Sequence, residues 1–151
     1  MIDLGGALLF WTIAMTVLVA VGVLLRLGHM ENAQKKLAEL APQTLAEMGI
    51  WILLSCSAGI CEEFVFRGYV QQQFSGLGGR VWVGVVVSSL LFGAAHGYEG
   101  LSGMIAITLF GAMFSMLATR SRGLKMGMIA HAWHDTFTGA LLALAKMMHA
   151  L

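Results

Sequence analysis

The chain has 151 residues, of which 58% are hydrophobic and 11% charged, with a formal net charge of +1; its mean hydropathy is +0.81. Soluble domains carry about a quarter charged residues and under half apolar ones, so this composition excludes a disordered chain, a nucleic-acid-binding arm and a disulfide scaffold, and makes the bilayer the solvent. A charge near zero points to no acidic polymer and no nucleic acid as partner.

Residues 4 to 25 hold no charge, and at about 1.5 Å per residue they are long enough to cross a hydrocarbon core of about 30 Å. Asp3, the lack of a basic start and the lack of an A-x-A-like site predict that this span stays attached rather than being removed as a signal peptide. Residues 28 to 42 carry Glu31, Lys35, Lys36 and Glu39 beside Met30, Leu37 and Leu40, a pattern for a short interfacial helix or a solvated connector, ended by Pro42. Thr44 and Glu47 have capping-box spacing, in which the hydroxyl and the carboxylate satisfy the first free amides of a new helix. That helix is predicted to run from Thr44 to about Phe74, with Gly76, Gly78 and Gly79 ending it. Further apolar spans follow at 81 to 95, 101 to 119 and from about 126 to 145. The expected fold class is therefore all-α, a polytopic helical bundle of about five membrane spans, with 1–43 as an N-terminal helix plus connector and 44–151 as the core. Gly84 with Ser88, and Gly111 with Ser115, place small residues one turn apart, as close helix packing in lipid requires; these faces also allow a homodimer. Cys56 and Cys61 lie in one apolar run, where helical rise separates their Cα atoms by about 7.5 Å, beyond disulfide reach. Basic residues are shared almost evenly between alternate connections, so no orientation follows.

Glu62, Glu63, Arg67, His131, His134 and Asp135 fall inside the spans, where each costs about 2.5–3.5 kcal/mol on insertion scales. Glu63 and Arg67 are four apart, the spacing for an intrahelical ion pair. Glu62 points about 100° away, has no cation at three or four residues' distance, and needs a partner from another helix or a cavity. His131 and Asp135 are also four apart, and with His96 and Glu62 they form a set that reads as a functional site. Measured from the end holding the 75–80 turn, helical rise puts Glu62 at about 18 Å, His96 at about 22 Å and His131 at about 10 Å. Tilt, or a dip of the 97–100 link into the protein, absorbs the mismatch.

These motifs resemble those of the CPBP intramembrane proteases, a group that includes type II CAAX prenyl endopeptidases and Abi-type proteins linked to bacteriocin processing and immunity. Glu62-Glu63-Phe-Val-Phe-Arg67 resembles their EExxxR, Phe92-Gly-Ala-Ala-His96 their FxxxH, and His131-Ala-Trp-His-Asp135 their HxxxN/D, in the family's order and on separate predicted helices. The resemblance implies an endopeptidase with a four-helix core enclosing a chamber, acting on a membrane-associated peptide or protein substrate in a bacterial or archaeal plasma membrane. It implies that Glu62 activates water, that His96 assists as its partner base, and that His131 with Asp135 binds the oxyanion or orients the groups that do. Glu63 and Arg67 would be the supporting ion pair. Asp135 stands where prenyl endopeptidases usually carry Asn; an ionised carboxylate cannot donate to an oxyanion, so it is protonated, pairs with His131 or binds a metal. Such proteases are commonly described as metalloenzymes, and Glu62, His96, His131 and Asp135 offer zinc two nitrogen and two oxygen donors. HExxH is absent, and the metal-free glutamate route is favoured.

Three other readings compete. Gly100-Leu-Ser102-Gly103 resembles the GxSG of rhomboid serine proteases. A non-catalytic immunity or binding protein, or a proton or ion relay through Glu62 and the histidines, would also place such groups at membrane depth.

Overall fold

The computed structural model describes residues 4–28 and 39–148, and most of the expected interfacial segment, residues 29–38, lies outside them. Helix α1 covers Leu4–Leu27. Thr44 caps the next helix, its hydroxyl accepting the Glu47 amide at 3.2 Å. The reciprocal arm differs from the expected box: Glu47 Oε2 accepts the Gln43 amide at 2.7 Å, one residue upstream of the cap. Helix α2 then runs over Leu45–Leu77, ending at Gly78 and the left-handed Gly79. Helix α3 covers Val81–Ala95. A 3₁₀ turn over Gly97–Glu99 leads through Gly100, at φ +80°, into α4 over Gly100–Ser121. Helix α5 covers Lys125–Met147.

The chain is an all-α membrane bundle. Three helices, α1, α2 and α4, are long and apolar enough to cross a membrane. The other two of the five expected helices are present with weaker span character: α3 is apolar with 15 residues, and α5 carries His131, His134 and Asp135 in its middle. Helix α3 packs along α4, and α2 along α5, while α1 lies across α4 and α5. Buried Ala14, Phe92, Phe110, Phe114 and Ala130 form the core, and Phe10 of α1 meets Phe114 edge-on at 4.9 Å. Large apolar side chains cover the outside, the inverse of a soluble bundle and the arrangement lipid favours.

Close backbone approach, which drives helix association in lipid, is concentrated at glycines. A Cβ on Gly59 of α2 would stand 2.8 Å from both Ala132 N and Met128 O of α5, backbone atoms that cannot yield without moving the helix. Gly59→Ala is accordingly expected to lower stability by about 1–3 kcal/mol; thermal unfolding in detergent micelles would measure it, and an unchanged midpoint would mean that α2 and α5 do not touch there. The expected small-residue pairs also do more than pack. Ser88 donates its hydroxyl to Phe66 O at 2.7 Å, and the carbonyls of Gly111 and Ser115 accept from Arg67 and Gln71. Cys56 and Cys61 are free thiols on the exposed surface.

Candidate active site

Helix α2 keeps its direction through Glu63 but changes its winding, because residues Glu63–Val70 form a π-helix between two α-helical stretches. Such wide turns are rare and recur at functional sites. The surplus acceptor capacity is used: Phe66 O accepts both the Gln71 amide within the helix and the Ser88 hydroxyl from α3. Glu63 and Arg67 are turned into the bundle at 0% exposure, whereas the Glu62 side chain keeps 32%. Neighbouring carboxylates thus occupy opposite environments.

The expected ion pair is present, with Arg67 NH1 donating to Glu63 Oε1 at 2.9 Å. Arg67 NH2 donates to Gly111 O at 3.1 Å, and the guanidinium lies 4.3 Å from the centre of the Phe92 ring, a cation–π contact that helps hold a charge away from water. The spacing argument missed a third partner. His131 Nδ1 lies 3.0 Å from Glu63 Oε1, and an ionised carboxylate only accepts, so Nδ1 is the protonated nitrogen and Nε2 is turned the other way. A buried carboxylate needs more than one donor, which is the signal that could have pointed to His131. Gly127 makes room, since a Cβ there would stand 2.9 Å from Glu63 Oε2. The edges or faces of Phe92, Phe110 and Phe114 box the His131 ring at 5.5–6.0 Å between centroids.

His131 Nε2 then stands 3.7 Å from Glu62 Oε2 and 3.8 Å from Asp135 Oδ2. These distances exceed hydrogen-bond length and leave room for a bridging atom. The unpartnered Glu62 of the sequence therefore meets α5 and a cavity, and His96 and His131, which helical rise alone sets about 12 Å apart in depth, line that same cavity. His96, at the C-terminal end of α3, directs Nδ1 at Phe92 O, 2.9 Å away; a carbonyl only accepts, so Nδ1 bears the proton and Nε2 carries the lone pair. Glu62, His96, His131, His134 and Asp135 line one cavity of about 370 Å³, whose apolar side includes Trp51, Leu54 and Ile107. Trp51 also donates its indole N–H to Asp135 O at 2.8 Å, tying α2 to the carboxylate's own backbone. Among the described residues no three His, Cys, Asp or Glu side chains are grouped as ligands of a metal ion. The four residues expected as a zinc set share a cavity wall without forming such a group.

Carboxylates, three imidazoles and an apolar wall in one chamber suit hydrolysis of an amide. Residues 42–137, well over half of the chain, match the family model described as type II CAAX prenyl endopeptidase, Rce1-like. The chain belongs to the Rce1-like family. Comparison with curated proteins and with solved structures gives no match. Membership makes the chain an intramembrane endopeptidase of the CAAX-processing type, integral to the membrane. The Rce1-like match begins at Pro42 and ends at Phe137, so α1 lies outside it. Helix α1 nonetheless touches a residue of the chamber wall: Met15 Sδ lies 3.1 Å from Nδ1 of His134, whose ring also stands 4.6 Å from that of Phe110 on α4. Ser102, the residue of the rhomboid-like motif, sits in the first turn of α4 and is not part of the cavity lining.

Proposed function

We propose that this Rce1-like endopeptidase cuts its substrate by a metal-free route in which Glu62 activates the attacking water. The observation that carries this reading is the contrast between the two carboxylates: Glu63 is buried and engaged by Arg67 and His131, while Glu62 faces the chamber 3.7 Å from His131 Nε2. Glu62 takes a proton from a water as the water oxygen bonds to the scissile carbonyl carbon. Negative charge gathers on the carbonyl oxygen, where His131 Nε2, oriented by Glu63 through Nδ1, donates when protonated. The C–N bond breaks as Glu62 returns its proton to the amine, which regenerates the carboxylate. His96, with its Nε2 lone pair, accepts a hydrogen bond from the same water and steers its second proton away from the substrate. Asp135 holds the His131 ring from below. The substrate is a membrane-associated chain, either a prenylated CAAX protein or a bacterial membrane peptide, and all five helices cross the bilayer in a multi-pass topology.

The test is cleavage of a prenylated CAAX peptide and a pool of membrane peptides by the purified protein in detergent, with and without a zinc chelator, and by Ser102→Ala. Cleavage is expected to survive both treatments. Loss on chelation with recovery on zinc addition would replace this route by a metal mechanism with Glu62 as base beside the ion. Loss in Ser102→Ala would transfer the chemistry to a serine nucleophile.

A further inference from the structure

A second cavity of about 370 Å³ lies beside the membrane-boundary end of α2, between α2, the start of α3 and the α4–α5 connection. Its wall includes Arg67 and Gln71, 0% and 1% exposed, and each has a polar atom that no protein group meets: Arg67 Nε, a donor, and Gln71 Oε1, an acceptor. Their other polar atoms are taken. Arg67 NH1 and NH2 go to Glu63 and Gly111, and the Gln71 amide nitrogen goes to Ser115 O and the Thr119 hydroxyl. A buried donor and a buried acceptor left unmet are costly unless something supplies the complement. Toward the surface the lining passes to Arg122, which is exposed and held in the left-handed region at φ +52°. No Asp or Glu lines the cavity, and exposed Arg80, Arg120 and Lys125 stand on the same two connections.

We propose that this cavity binds a polyol phosphate, the headgroup of a lipid such as a glycerol phosphodiester, with its anionic phosphate at Arg122 and its free hydroxyls against Arg67 and Gln71. A hydroxyl is both donor and acceptor, so neighbouring hydroxyls satisfy Gln71 Oε1 and Arg67 Nε together, which a bare anion cannot do. The guanidinium at the mouth recognises phosphate in the forked geometry that makes arginine the preferred residue for it. At this end of the bundle α2 and α4 stop and α3 and α5 begin, and the ends of membrane-spanning helices meet the lipid headgroups. The site is separate from the catalytic chamber, and binding there does not depend on the protease reading.

The experiment is binding of lipid to the full chain in detergent by native mass spectrometry, with phosphatidylglycerol, phosphatidylserine, phosphatidylcholine and free glycerol 3-phosphate as separate arms. Phosphatidylglycerol is expected to bind about tenfold more tightly than phosphatidylserine, which has the charge without the diol. Arg122→Asn, which keeps a residue tolerant of the left-handed conformation, should weaken phosphatidylglycerol binding about tenfold. Gln71→Leu should erase the preference over phosphatidylserine. Because Gln71 also joins α2 to α4, Gly123→Leu serves as a second variant: the residue lines the cavity and a Cβ there meets nothing closer than 4.0 Å, so its bulk should block binding without disturbing the fold. Binding of glycerol 3-phosphate without lipid supports the polyol-phosphate chemistry and assigns it to a soluble source. Equal binding of both anionic lipids in every variant, or no binding of any ligand, overturns the proposal.

Discussion

Glu62→Gln is expected to lower kcat for peptide cleavage by about 10²–10⁴-fold, the range that a positioned general base contributes, with KM and the unfolding temperature little changed. The separation of effects follows from where the side chain stands. Its 32% exposure places it on the chamber wall, and it approaches His131 at 3.7 Å, longer than a hydrogen bond that would hold helices together. The amide keeps the size and the hydrogen-bonding capacity of the carboxylate and removes its ability to take a proton from water. Glu63→Gln should behave differently. It alters a carboxylate that neutralises Arg67 and orients His131, so stability and kcat should fall together. Cleavage kinetics and thermal unfolding on the two variants side by side would check both statements. If Glu62→Gln retained wild-type cleavage, the general base would have to be sought elsewhere, and proton flux in liposomes would then test the relay reading of the same residues.

Arg67→Leu is expected to destabilise the protein by about 3–5 kcal/mol, the cost of stranding a buried partner charge. Glu63 would lose the guanidinium at 2.9 Å while remaining at 0% exposure, Gly111 O would lose its donor, and the face of Phe92 would lose its cation. Arg67→Lys should restore part of the loss, because an ammonium can neutralise Glu63 but cannot also reach Gly111 O with a second planar arm. The pair Glu63→Gln with Arg67→Leu discriminates between structural and positioning roles. With no charge left buried, stability should recover, whereas kcat should stay low because the neutral amide no longer binds His131 Nδ1 as a carboxylate does. Recovery of both would reduce Glu63 to a structural residue. The readouts are unfolding temperature in micelles and single-turnover cleavage.

The contrast between these two variants also marks where sequence reasoning reached and where it stopped. Helix positions follow from local chemistry: the uncharged runs, the Thr44 cap, and the glycines at 78, 79 and 100 each act within a few residues, and the helices begin and end there. The Glu63–Arg67 pair was legible for the same reason, since both partners share one helix. The resemblance rested on residues spread along the chain, and the Rce1-like match over residues 42–137 agrees with it.

Composition and local spacing by themselves determined an all-helical membrane protein with charged groups at membrane depth, and identified which carboxylate lacked a partner on its own helix. Tertiary structure alone decided what those charges meet. The π-helix over Glu63–Val70 depends on acceptors and donors that other helices supply, such as Ser88 and Gly111, and the hydropathy of the segment does not encode them. The His131–Glu63 contact joins residues 68 positions apart and exists because Gly59 and Gly127 let α5 approach α2 closely. Helical periodicity specifies directions along one axis only. The distance and rotation between two axes are set by the side chains that fill the space between them, and those contacts place His131 between a buried Glu63 and a half-buried Glu62 on the chamber wall.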